Sequence, residues 1–158
     1  MKKNKDLKIC LICSTGGHLA QMKEIIPVVK QYRYILITEK NKTVENLRDS
    51  CKTYFLVQQE RKNILIVLIL FLNVIKSIYF FVKEQPDIII STGAGAVIPF
   101  CFLGKLFRKK IMFIESFAKI KSPTLTGQLI YRISDKFYVQ WEELLKFYPK
   151  AEYRGKIY

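Results

Sequence analysis

Two short turns carry the residues best suited to chemistry. Ser14-Thr15-Gly16-Gly17-His18 follows the apolar run Ile9 to Cys13, and Ser91-Thr92-Gly93-Ala94-Gly95 follows Ile88 to Ile90. Glycine in such turns lets backbone N–H groups approach an anion closely and adopts positive φ at little cost. A helix that starts directly afterwards adds unpaired N–H groups and the positive end of its dipole. The chemistry favoured is the binding of a phosphorylated group by Ser14, Thr15, Gly16, Gly17, Thr92, Gly93, Ala94 and Gly95. His18 is the only histidine and stands where the first turn becomes a helix. An imidazole there can hydrogen-bond a phosphate, take a proton from an attacking hydroxyl, or simply cap the helix. Glu115 ends the run Ile111 to Ile114. A carboxylate there can bind sugar hydroxyls, act as a base, or pair with a lysine.

Both turns need a scaffold that brings them together. Strand-like runs recur at Ile9 to Cys13, Tyr34 to Thr38, Tyr54 to Val57, Asp87 to Ile90, Ile111 to Ile114 and Phe137 to Val139, with helix-compatible stretches between most of them. The runs are continuously apolar rather than alternating, so both faces of their sheet are covered. The pattern predicts an α/β fold, a Rossmann-like doubly wound parallel sheet, in one domain over residues 1–158. With the two turns after strands one and four, they meet where strand order reverses, the place where such sheets bind ligands. Pro86 punctuates the start of the fourth strand, and Ser122-Pro123 predicts a helix start.

The formal net charge of +14 over 158 residues points to an acidic partner: anionic lipid, a diphosphate-bearing substrate, or nucleic acid. No zinc-ligand pair, aromatic RNP strand or basic heptad helix is present, so no nucleic acid is expected. Cys10 and Cys13 spell C-x-x-C inside an apolar strand rather than at a helix start, which suits reduced thiols in the cytosol better than a redox pair. The apolar run after Lys8 is too short for a signal peptide core.

The stretch 64–82 stands apart. It approaches the roughly 20 apolar residues that span a bilayer, yet it contains Asn73, Lys76 and Ser77, which share one side of a helix with Lys62 and Glu84. Leu65, Leu68, Leu72 and their apolar neighbours cover the rest. A lysine at bilayer depth costs about 2.5–3.5 kcal/mol. The expectation is therefore a core helix whose outer apolar side, with Leu65, Leu68 and Leu72 beside Lys62 and Lys83, dips into an anionic membrane surface. A purely buried helix and a true span are the alternatives.

The two turns occur in order with Phe113-Ile114-Glu115-Ser116-Phe117-Ala118, Lys121-Ser122-Pro123-Thr124-Leu125-Thr126-Gly127 and Val139-Gln140-Trp141-Glu142-Glu143. The set resembles the bacterial PssD-type capsular and exopolysaccharide proteins. These are similar to the membrane-side subunit of the two-subunit UDP-GlcNAc transferase of dolichol-linked oligosaccharide synthesis. The resemblance implies the amino-terminal half of a GT-B glycosyltransferase, the half that holds a polyprenyl-diphosphate-sugar acceptor. The related peptidoglycan enzyme that glycosylates lipid I carries a glycine-glycine-histidine turn like Gly16, Gly17 and His18. The chain reaches Tyr158 about where a second Rossmann domain would begin. A separate donor-binding GT-B carboxy-terminal-half subunit is thereby implied, and the UDP-sugar would be bound mainly by it. No Asp-x-Asp motif is present, which agrees with metal-independent GT-B chemistry, and no cofactor is expected.

The implied function is that of an acceptor-binding, membrane-recruiting subunit of a bipartite inverting glycosyltransferase at the cytoplasmic face of the cell membrane, with His18 and Glu115 as catalytic candidates. A non-catalytic scaffold that anchors and activates its partner is one alternative. A dinucleotide-dependent oxidoreductase is another, because Gly93-Ala94-Gly95 opens a G-x-G pattern; against it, Ile98 holds the third glycine position and the first turn lacks the pattern.

Overall fold

The computed structural model describes residues 6–40, 44, 51–59 and 66–157. Among them seven strands form one parallel sheet: β1 (Lys8–Cys13), β2 (Arg33–Glu39), β3 (Lys52–Leu56), β4 (Ile88–Gly93), β5 (Lys110–Ile114), β6 (Lys136–Val139) and β7 (Glu152–Tyr153), ordered β3-β2-β1-β4-β5-β6-β7. The six expected runs are strands. The two-residue β7 is an addition too short to leave a hydrophobic signature. Order reverses between β1 and β4, as a doubly wound sheet requires.

Side chains alternate across the sheet, which is why continuous apolar runs were needed. Cys10 and Ile12 point into one core with Phe80, Phe81, Phe100 and Ile130, whereas Ile9, Leu11 and Cys13 point into another with Leu19, Met22 and Ile26. Helix α1 (Gly17–Val29) thus covers one face, and α2 (Ile66–Glu84), α3 (Ile98–Leu106) and α4 (Leu125–Tyr131) cover the other. Cys10 and Cys13 lie on opposite faces of the sheet, so C-x-x-C is not a redox pair here. Burial pushes the Cys13 thiol up to about 12 and raises Cys10 well above the ordinary thiol range. Helix α4 starts later than Ser122-Pro123 suggests. Thr124 is its N-cap, with Oγ1 accepting from the Gly127 N–H at 2.8 Å.

Helix α2 is amphipathic with its polarity reversed. Asn73, Ser77 and Glu84 are buried, while Val67, Leu68, Phe71, Leu72, Ile75, Ile78 and Val82 are exposed, Val67 by 74%. The cause is the edge strand β3, whose outer backbone groups have no neighbouring strand among the described residues. The Val57 N–H donates to Asn73 Oδ1 at 2.8 Å, and Asn73 Nδ2 donates to the Val57 carbonyl at 2.9 Å. Lys76 Nζ donates to the Phe55 carbonyl at 3.0 Å. Each such bond is worth about 1 kcal/mol net and removes a larger penalty for an unpaired group. Phe81 lies on the inner side of the helix, edge-on to Phe100. Lys62 and Leu65 lie outside the described residues. Among the described residues no helix is long and apolar enough to cross a membrane.

Glu84 anchors the far end of α2. It pairs with Lys8, with Lys52 at 2.7 Å, and accepts a hydrogen bond from Tyr54. Burial works to raise its pKa, but hydrogen bonds from Lys52, Lys8 and Tyr54 outweigh this and hold the carboxyl at about 2. Because the folded pKa is depressed, the stabilisation is complete above the unfolded carboxylate value and is lost as pH falls through about 2. Glu84→Gln is therefore expected to cost about 2–3 kcal/mol at pH 7, after a discount for the exposure of Lys52. Urea unfolding at pH 7 and at pH 3 checks this, since the gap from wild type should narrow at the lower pH.

Candidate functional site

Parallel pairing sets the two glycine turns side by side. The β1–β4 register runs from Ile9 opposite Ile88 to Cys13 opposite Gly93, with an irregularity after Ile12. His18 joins the turns: its Nδ1 lies 2.6 Å from the Thr92 carbonyl oxygen, and Thr92 Oγ1 donates to the His18 carbonyl at 2.8 Å. A carbonyl only accepts, so in the neutral ring Nδ1 carries the proton and Nε2 the lone pair. Gly93 makes this possible. Its φ is +109°, and a Cβ there would lie 3.1 Å from His18 Cε1. Ala94 follows with φ +81°, a conformation costing a non-glycine residue about 1–3 kcal/mol.

The turns open on a cleft of about 790 Å³ at the carboxyl ends of the strands. Ser14, His18, Ala94 and Gly95 line it together with Ile98 and Leu125. Gly16 caps α1 without any side-chain hydrogen bond to the cap, and nothing lies within 4 Å of a Cβ placed on Gly17. Of the expected site residues, Thr15, Gly16, Gly17, Thr92 and Gly93 do not themselves line the cleft. Besides Thr92, further turn residues are engaged within the protein. The Thr15 N–H and Oγ1 each lie 3.5 Å from Glu39 Oε2, and Gly93 N–H donates to Ser91 Oγ at 3.1 Å. Lys119 brings a cation to the rim. As one of 27 Lys and Arg residues it carried no distinguishing signal in the sequence. Glu39 and Gln59 also line the cleft. They escaped notice because each stands alone beyond a strand-like run, outside any motif.

Glu115 does not line the cleft but lies beneath it, 1% exposed. Its carboxylate accepts from Ser116 N at 2.8 Å, from Thr124 Oγ1 at 2.9 Å, from Thr124 N at 3.3 Å and from Tyr148 Oη at 2.7 Å. Burial, then the hydrogen bond and charge of Glu115, raise the Tyr148 phenol far above its usual range, so it stays a donor. Gln140 Nε2 ties the same strand end to α1, donating to the Glu115 carbonyl at 2.8 Å and to Gln21 Oε1 at 2.7 Å. The geometry makes Glu115 a brace for the loop that carries Lys119, Pro123 and Thr124. Leu68, Leu72 and Lys83 are exposed on α2, away from this cleft. Among the described residues no group of His, Cys, Asp and Glu is placed to hold a metal ion.

Residues 9–157 match the family described as "Oligosaccharide biosynthesis protein Alg14 like". The UDP-N-acetylglucosamine transferase subunit alg14 of Schizosaccharomyces pombe is 40% identical over 46% of this chain and 37% of its own length. The corresponding subunit of Homo sapiens is 35% identical over 48% of this chain and 38% of its own. That of Yarrowia lipolytica is 24% identical over 97% of this chain and 82% of its own. The match thus spans well under half the length of the first two relatives. In fold, the chain is similar to Acinetobacter baumannii MurG, with a TM-score of 0.75 and 12% identity over 95% of this chain and 45% of that one. A UDP-N-acetylglucosamine 2-epimerase from Rickettsia bellii gives 0.71 and 15% over 96% and 45%. The shared part is the Rossmann-like sandwich expected of an amino-terminal GT-B half.

Proposed function

Because the chain belongs to the Alg14-like family of oligosaccharide biosynthesis proteins, we propose that it is the acceptor-side subunit of a bipartite glycosyltransferase of surface polysaccharide synthesis. It anchors a separate donor-binding subunit at the membrane and holds a polyprenyl-diphosphate-linked sugar for it. The partner binds the UDP-sugar. The observation that carries this reading is the junction of two glycine turns at the point of strand reversal, bridged by His18 and rimmed by Lys119. The start of α1 at His18 and the Lys119 cation suit a diphosphate. The subunit's contribution is position and recruitment, which is also what the relatives' designation as subunits supports.

A second role is favoured by the His18 geometry. With Nδ1 committed to the Thr92 carbonyl, Nε2 is free to accept a proton from the acceptor hydroxyl as it attacks the anomeric carbon and UDP departs. Glu115 has no comparable access and serves to hold the cleft loop.

The reversed helix supports membrane recruitment. Its outer face offers a continuous row of apolar side chains, with Lys83 beside it, and a basic chain gains about 1 kcal/mol per Lys or Arg near an anionic surface. In the test, the chain and its donor-binding partner are mixed with vesicles containing phosphatidylglycerol, a prenyl-diphosphate-linked sugar and the UDP-sugar. Transfer is expected only with both proteins, and the partner should sediment with vesicles only when the chain is present. Leu68→Ser with Leu72→Ser should reduce sedimentation severalfold in 0.5 M salt, about the concentration where electrostatic attraction is largely screened. Transfer by the chain alone would overturn the bipartite reading, and unchanged sedimentation of the double variant would remove α2 from membrane contact.

A further inference from the structure

The cleft carries two kinds of polar side chain: His18 and Lys119, and beside them Glu39 and Gln59, which meet the glycine turns at Thr15 and Gly95. Glu39 closes β2 and is 5% exposed. Its Oε1 accepts from the Gln59 N–H at 3.0 Å, but Oε2 has only the Thr15 N–H and hydroxyl, both at 3.5 Å, the outer limit of a hydrogen bond. No ion pair to it is formed among the described residues. Beside it, Gln59 Nε2 is buried without a hydrogen-bond partner among the described residues. The side-chain oxygen of Gln59 rests against Gly95, 3.0 Å from where a Cβ would be. This glycine therefore makes room for the amide.

A buried carboxylate with an under-used oxygen, next to an amide donor without a partner, is costly unless a bound group pairs with both. A phosphate oxygen could accept from Gln59 Nε2 but repels the Glu39 carboxylate, itself an acceptor, and so cannot satisfy both. The group that can is neutral and carries donors and acceptors together: a sugar hydroxyl gives its proton to Glu39 Oε2, and an adjacent hydroxyl or acyl oxygen accepts from Gln59 Nε2. We propose that Glu39 and Gln59 form the specificity-determining subsite for the sugar next to the diphosphate, with the diphosphate itself at the glycine turns and Lys119. This deepens the acceptor-holding reading and rests on it.

The test uses the full chain and two probes, farnesyl diphosphate and farnesyl diphosphate bearing N-acetylglucosamine, followed by calorimetric titration. Wild type should bind the sugar-bearing probe at least tenfold more tightly, tenfold being about the low end of what a hydrogen bond to a charged group is worth. The carbonyl of Glu39→Gln can replace only one carboxylate oxygen, the one that accepts from the Gln59 N–H at 3.0 Å, while its amide nitrogen then stands where Oε2 was and can donate to the Thr15 hydroxyl. The substitution should lower affinity for the sugar-bearing probe about 10- to 100-fold and leave farnesyl diphosphate within about twofold. Gln59→Leu, which leaves Glu39 in place, should show the same selectivity with a smaller loss. An equal loss for both probes would make Glu39 a pin for the turn and overturn the inference, as would no loss for either. Wild type binding farnesyl diphosphate with no gain from the sugar would overturn the subsite while leaving the acceptor reading standing. Binding of neither probe would remove both.

Discussion

Replacing His18 by alanine is expected to lower kcat/KM for the acceptor about 10²- to 10⁴-fold in the assembled transferase, the usual range for a proton-transferring group. The expectation rests on a single ring joining both glycine turns, with Nδ1 2.6 Å from the Thr92 carbonyl. How the loss divides identifies the role. A fall in kcat at constant KM marks Nε2 as the proton acceptor, while a rise in acceptor KM at constant kcat marks a holding contact. Near-normal values of both would leave His18 outside the reaction and the chain a scaffold for its partner. Loss of the ring also empties the space against Gly93, so unfolding by urea should be measured on the same variant.

Gly127→Ala should destabilise the fold by about 2–4 kcal/mol, although alanine is the better helix former by about 1 kcal/mol. A Cβ there would lie 2.0 Å from Glu115 Oε2, 2.6 Å from Tyr148 Oη and 2.8 Å from Thr124 Oγ1. The carboxylate must move, and a buried charge that loses its donors is costly. Thermal unfolding checks the prediction, with Gly17→Ala as the control, because nothing lies within 4 Å of that position and its stability should be unchanged or slightly raised. A Gly127→Ala protein as stable as wild type would mean that the Glu115 network is dispensable and the loop bearing Lys119 is held by other contacts.

The sheet order was legible because parallel strands covered on both faces need continuous apolar stretches, and β1, β2 and β4 have them at Ile9 to Cys13, Tyr34 to Ile37 and Ile88 to Ile90. The meeting of the two turns followed from that order. The outward apolar side of α2, with Leu68 and Leu72, was legible, whereas the burial of its polar side was not. A helical wheel separates Asn73, Ser77 and Glu84 from the leucines and isoleucines, but the burial of the polar side depends on the outer edge of β3 that Asn73 and Lys76 satisfy. Glu115 was visible as a polar residue at a strand end. Whether its carboxylate points into the cleft or beneath it depends on Thr124 and on Tyr148, 33 positions away. Glu39 occupies the equivalent place at the end of β2 and offered the same signal, a charged residue directly after an apolar strand run. It lacked an adjoining motif to draw attention to it.

The reversed helix also sets a height. Nineteen residues of α2 extend for about 28 Å at the usual rise per residue, so a protein resting on this flank lies along the lipid surface rather than standing on one end. Asn73 holds Val57 by two hydrogen bonds, two residues before Gln59 at the cleft wall, so the cleft and the exposed face of α2 are linked through one short segment. A sugar joined to its lipid by two phosphates extends only a short way above the headgroups. On the proposed reading, a molecule held by this flank would engage the acceptor without its hydrocarbon tail leaving the bilayer.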